Sequence, residues 1–194
     1  MNGSYPLDVE MYMHAEATAF EKYHTFESTV ENLKLSDGMV VEYNDTKNKL
    51  NSLLDEWKKY IDYNLPGELK PIGIWIYQAE KILSDNEVPT TMNEETAAII
   101  SKKIEHHKKF FATFPDVVEK FDSIKANPAY QNISPKIFEY VEQRLIGIES
   151  KARERRITLK FLEHKCCLLA FLNLLENKIG AVRYGNEDVV RHSL

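Results

Sequence analysis

Apolar residues recur along most of the chain at alternating steps of three and four, never in the strict alternation of a half-buried strand, so the expected elements are helices. Val9, Tyr12, Glu16, Ala19, Tyr23, Phe26, Val30 and Leu33 form the first run, with the spacing of a bundle seam. Pro6 suits its first turn, and Ser36-Asp37-Gly38 is expected to break it. The second run, Val40, Tyr43, Lys47, Leu50, Leu54, Trp57 and Ile61, stops at Asn64-Leu65-Pro66-Gly67. Glu16 and Lys47 are charged seam positions. They are expected to lie near bundle ends or to snorkel to water; the sharper alternative is a register-setting ion pair between the two helices.

A third, shorter helix carries Leu69, Ile72, Ile76, Ala79 and Leu83 on one face, with Pro71 and Gly73 in its first turns. In this register Trp75 points inward and Tyr77 outward. Thr91-Met92-Asn93-Glu94 reads as a capping box opening a fourth helix with the seam Ala97, Ile100, Ile104, His107, Phe111, Phe114, Val118 and Phe121. Pro115 should kink that helix, and Asn127-Pro128 should end it. Ser134 as N-cap, Pro135 at the first position and an Ile133–Phe138 staple start the fifth helix. Its seam, Val141, Leu145, Ile148, Ala152, Arg155, Leu159, Leu162, Cys166 and Leu169, meets no stop signal before Gly180.

Composition narrows the function classes. With 43% hydrophobic and 28% charged residues in 194, the chain fills a core, and 7 Gly and 7 Pro leave few turns. A net charge of −5 argues against nucleic acid as a partner. Direct membrane contact is not expected either, because the longest apolar run, Cys166 to Leu172, is far short of the roughly 20 residues a spanning helix needs. The N-terminus lacks the features of a signal peptide. The 2 cysteines, Cys166 and Cys167, are adjacent and build neither a disulfide framework nor a zinc site. The expected compartment is reducing and cytoplasmic.

Chemistry is sparse. No phosphate loop, His-Glu-x-x-His pair or nucleophile elbow occurs, so no catalytic residue, no metal site and no cofactor is expected. His164 and Cys167 share a helix face, but a small buried thiol beside a partly exposed histidine accounts for them better than zinc. His107 lies on a seam and reads as a hydrogen-bonded core histidine. The basic pairs at 58–59, 102–103 and 108–109 have acidic neighbours and read as solvated faces. Only Lys151, Arg153, Arg155, Arg156 and Lys160, against Glu154, make a local positive patch.

From Leu159 to Leu175 the fifth helix is apolar on more than one face, so its cover must come from elsewhere. Arg153, Arg155, Arg156, Lys160, Phe161, Leu168 and Phe171 are therefore the candidate contacts for a protein partner, or for self-association through this end. The candidate core is Trp57, Trp75, Ile104, His107, Phe111, Phe114, Leu145 and Ile148.

Self-similarity points to a repeat. Trp75-Ile76-Tyr77-Gln78-Ala79-Glu80-Lys81-Ile82 aligns with Phe171-Leu172-Asn173-Leu174-Leu175-Glu176-Asn177-Lys178. In this string, and in Arg153-Glu154-Arg155-Arg156 before Leu159, the chain resembles the spectrin-repeat family; it departs in lacking a tryptophan in 134–160. The resemblance implies an all-α fold of left-handed three-helix bundles in an elongated array with a long shared helix. Residues 5–63 would be the last two helices of one repeat, 69–160 a complete repeat, 161–180 a continuation helix and 181–194 a tail.

Leu65-Pro66-Gly67-Glu68-Leu69 before the Trp75 helix makes the nesprins the most similar members. That similarity implies a non-catalytic segment linking the actin cytoskeleton, through neighbouring domains, to the cytoplasmic face of the outer nuclear membrane. A dystrophin- or plakin-type cross-linker and a free-standing helical adaptor are the alternatives.

Overall fold

The computed structural model describes residues 9–31, 33–85 and 89–191, with side chains as far as residue 180. Pro6 lies outside the described residues. The elements are α1 (Val9–Glu31), α2 (Asp37–Tyr63), α3 (Leu69–Ser84), α4 (Glu94–Phe111), α5 (Phe114–Ala126), a 3-10 turn (Pro128–Tyr130) and α6 (Pro135–Arg191), so the fold is all-α, with no strand among the described residues.

Helix ends differ from expectation at four places. Ser36 is the N-cap of α2, so Asp37 and Gly38 belong to its first turn, where the Asp37 carboxylate is favoured by the helix dipole. The cap of α4 is Asn93, not Thr91: its side-chain oxygen accepts from the Thr96 N–H at 2.9 Å, and that reach fits the third helical amide. Pro115 does more than kink. Helix α4 stops at Phe111 and α5 restarts at Phe114, placing Pro115 in a first turn where its missing N–H costs no bond. Gly180 does not stop α6, which runs 57 residues to Arg191. A glycine ends a helix by turning left-handed, and among the described residues only Gly67 has positive φ, +54°.

The chain forms two compact units. The first takes α1, α2, α3 to Lys81, α5 from Pro115 and α6 to Gly147; the second takes α4 and α6 from Ile148. In the first unit α1 and α2 lie antiparallel, with Tyr12 on Tyr60 at 4.5 Å between ring centroids and Phe26 near Tyr43 at 5.8 Å. The charged seam residues do not pair with each other. Lys47 takes Glu27 at 2.8 Å and Glu16 faces Lys58 at 3.8 Å, the partners that the antiparallel register brings opposite.

No residue of α1 is buried. The buried apolar residues of this unit include Ile61, Leu69, Ile72, Ile76 and Ala79 of α2 and α3, and Phe121, Ile124, Val141 and Leu145 of α5 and α6. Gly73 permits the close approach of α3 to the end of α2: a Cβ there would stand 2.5 Å from the Asp62 carbonyl oxygen and 2.6 Å from Leu65 Cδ1. The second unit packs Ala97, Ile100 and Ile104 on Leu159 and Cys166, with Met92 and Leu162 at the margin.

Of the candidate core, Ile104, His107, Leu145 and Ile148 are buried, and Trp57, Trp75, Phe111 and Phe114 are half-buried. Tyr77 is not turned outward: it too is half-buried, stacked edge-on against Tyr63, with its hydroxyl donating to Asp55 Oδ2 at 3.3 Å.

Candidate functional site

The first unit contains an ionic node that the apolar pattern does not reveal. Arg144 stands on α6 between the core positions Val141 and Ile148, so the helix turns it inward. Its Nε donates to Glu80 Oε1 at 2.8 Å and its Nη2 to Glu80 Oε2 at 2.9 Å. Asp62 receives Nη1 on Oδ1 at 2.5 Å and Nη2 on Oδ2 at 2.9 Å. The last N–H, on Nη1, goes to the Tyr140 hydroxyl at 3.1 Å, so all five guanidinium donors are used. Tyr140 passes the chain on, donating to Glu16 Oε2 at 3.0 Å. Lys58 stands 3.8 Å from both Glu16 and Glu80.

Three helices thus meet at one arginine, and Tyr140 extends the network to α1. Asp62 is fully buried, and that burial pushes its carboxyl up from 3.8 to about 6, with the Arg144 hydrogen bonds pulling the other way and Glu80 and Glu16 adding to the rise. Burial works against the charge on Arg144, but the two carboxylates outweigh it and hold the guanidinium above its ordinary value. Burial likewise raises the Tyr140 phenol. Each donor and acceptor in the node is committed to another side chain of the same unit. The arrangement can lock helices together, and it does not present a free base or nucleophile to a substrate.

A looser polar cluster sits in the second unit. Arg155 is not on an open face: its side chain is 10% exposed and reaches Asp85 at 3.3 Å, with Nη1 3.3 Å from His107 Nδ1. Lys103 also meets Asp85, at 3.1 Å. Burial, then the Arg155 charge, lower the His107 pKa, and a hydrogen bond to the Ala152 backbone opposes them. His107 is thereby favoured as the neutral ring.

The other candidate contacts, Arg153, Arg156, Lys160, Phe161, Leu168 and Phe171, are exposed. Cys166 is the buried thiol, whereas Cys167 beside His164 is exposed, so the helix face proposed for that thiol is reversed. Among the described residues no group of three or more His, Cys, Asp or Glu could hold a metal ion. No helix among them is long and apolar enough to cross a membrane.

Asp62, Glu80, Tyr140 and Arg144 were not singled out as a site by sequence reasoning. A signal was present: Arg144 is spaced three and four residues from core positions, as Glu16 is on its own seam.

No protein-family model matches the chain, and no solved structure matches it. It is similar to Muscle-specific protein 300 kDa of Drosophila melanogaster, 40% identical over 203 residues that cover 100% of this chain and 2% of that protein. It is also similar to Nuclear anchorage protein 1 of Caenorhabditis elegans, 26% identical over 129 residues covering 65% of this chain and 2% of that protein. The chain therefore spans 2% of the length of these curated relatives.

Proposed function

We propose that the chain is a non-catalytic structural segment of a very large cytoskeletal linker, built of spectrin-like three-helix repeats and coupling the cytoskeleton to the nuclear envelope. The observation that carries the reading is the Arg144 node, where every donor is spent on joining α1, α2, α3 and α6. A polar cluster so closed has a mechanical use and leaves no group for chemistry.

Two further features support it. Helix α6 continues for 57 residues, as a helix shared between successive repeats would, with 69–160 as the complete repeat. One relative is named for nuclear anchorage and another as muscle-specific, which favours a nesprin-like linker over a dystrophin- or plakin-type cross-linker. Actin would then be reached through neighbouring domains, on the cytoplasmic side of the outer nuclear membrane.

The test is to delete this segment from the full-length parent protein in muscle cells, or replace it with an unrelated helical spacer of equal length. Displaced nuclei on deletion and recovery with the spacer are expected. Normally placed nuclei after deletion would refute the reading. Deletion that displaces nuclei without recovery by the spacer would favour the adaptor reading, for which the exposed apolar face of α6 is the specific support.

A further inference from the structure

The buried polar cluster of the second unit has no part in the linker reading. His107, in the last turns of α4, is 4% exposed, and the side chain of Arg155 on α6 is 10% exposed. Arg155 Nη1 stands 3.3 Å from His107 Nδ1. An arginine N–H can only donate, so Nδ1 accepts and the ring carries its proton on Nε2. The ring is also hydrogen-bonded to the Ala152 backbone of α6. His107 thus ties α4 to α6, and its bond to Arg155 exists only while the ring is neutral.

A second proton finds no favourable place there. It would sit on Nδ1 and turn a donor toward the Arg155 guanidinium, setting two cations face to face in a site nearly closed to water. The other charges acting on the ring, Arg156 of α6 and His106 of α4, have the same sign. Asp85, just past α3, is the carboxylate of the cluster among the described residues. It is already engaged by Arg155 at 3.3 Å and by Lys103 at 3.1 Å. Glu105 of α4 pairs with Lys108 at 2.9 Å and lies about 200° round the helix from His107. On α6, Glu154 and Lys151 are exposed. Phe111 covers one face of the ring at 4.5 Å between centroids, which offers a π surface but no acceptor. Arg155 is itself short of acceptors, since its Nε is buried without one.

We infer that His107 is an acid-operated latch of the second unit: proton uptake by its ring replaces the Arg155 hydrogen bond with repulsion and loosens the last turns of α4 from α6. Burial, then the Arg155 charge, put the folded ring below the 6.5 of an ordinary histidine. The contribution of the latch to stability is therefore full above 6.5 and is lost as pH falls through the folded value. Burial of Asp62 gives the first unit a response of the opposite sign. The latch belongs to the unit itself and is independent of the linker reading.

Hydrogen exchange of the 194-residue chain tests it, read by mass spectrometry as protection corrected for the intrinsic effect of pH on exchange. Between about pH 7.5 and about pH 5.5 the amides of 104–111 are expected to lose protection, and those of α3 in the first unit to keep it. His107→Gln retains an acceptor for Arg155 but takes up no proton, and should abolish the loss. Arg155→Gln removes the opposing cation and should diminish it. The ring titration of the unaltered chain, followed by NMR, decides the matter whether or not a variant folds. Its midpoint is expected below 6.5 and together with the loss of protection. A midpoint at or above 6.5, equal protection at both pH values, or a loss shared equally by α3 would overturn the inference. So would a loss that persists undiminished in either variant.

Discussion

Arg144→Ala tests the node most directly. Arg144 is 12% exposed and its partner Asp62 is not exposed at all, so the substitution strands a buried carboxylate and removes five hydrogen bonds together. Breaking one partner out of a buried pair costs about 3–5 kcal/mol. The lower end is expected at pH 7, for two reasons. Asp62 already titrates near 6, so without the guanidinium it takes up a proton and escapes the full penalty. Glu80, at 28% exposed, can turn to water. A loss of about 3 kcal/mol is still a large part of the 5–15 kcal/mol that typically holds a domain.

Arg144→Lys keeps the charge but cannot present a planar fork to two carboxylates, and should recover less than half of the loss. The assay is urea denaturation followed by tryptophan fluorescence. Only 2 tryptophans are present, Trp57 and Trp75, and both lie in the first unit, so the signal reports the unit that holds the node. A shift below about 1 kcal/mol, or full recovery by lysine, would mean the pair is solvent-screened and the node does not hold the helices.

Asp62 also predicts a pH dependence. Its folded value lies above its ordinary one, so its contribution to stability is full below 3.8 and is lost as pH rises through about 6; Asp62→Asn should remove that slope, worth up to about 3 kcal/mol, from the fluorescence-detected stability. A slope unchanged in the variant assigns it to another group. Gly73→Ala should destabilise by about 1–3 kcal/mol despite the better helix propensity of alanine, because the new methyl group meets Asp62 backbone at 2.5 Å; a neutral or stabilised variant in chemical denaturation would show that the α2–α3 contact can open. Trp75→Ala and Tyr77→Ala should each cost about 1–3 kcal/mol in the same experiment, the two half-buried rings being closer in effect than an inward tryptophan and an outward tyrosine would be. A loss confined to Trp75 would place Tyr77 outside the α2–α3 packing.

Seam spacing made the helices legible because burial of one face repeats every turn, and the repeat is written in the residues themselves. The buried face of α3, Leu69, Ile72, Ile76 and Ala79, is the one its spacing predicts. Helix ends were less legible, since they turn on single contacts: Asn93 rather than Thr91 caps α4 because of one hydrogen bond to Thr96. Of the ionic node only the inward spacing of Arg144 was legible, for a different reason. Its members come from α1, α2, α3 and α6 and have no common spacing, so only the tertiary arrangement brings Asp62 to Arg144, 82 residues away. Charged Glu16 and Lys47 stood out on their seams, yet which partner each would take depended on the antiparallel register of α1 and α2 and not on the residues flanking them.

Why an ionic node occupies this place follows from what lies around it. The apolar seams of α1 and α2 do little to fix their register, because seam positions repeat and no α1 residue is buried. A fork that needs Asp62 and Glu80 on two faces at once, with Tyr140 carrying the contact to Glu16, has no equivalent one turn away. Apolar residues of the same volume would hold the core at least as firmly, so the distinctive contribution of the node is register. Lys47–Glu27 and Lys58–Glu16 repeat that discrimination along α1, at lower cost and in more water.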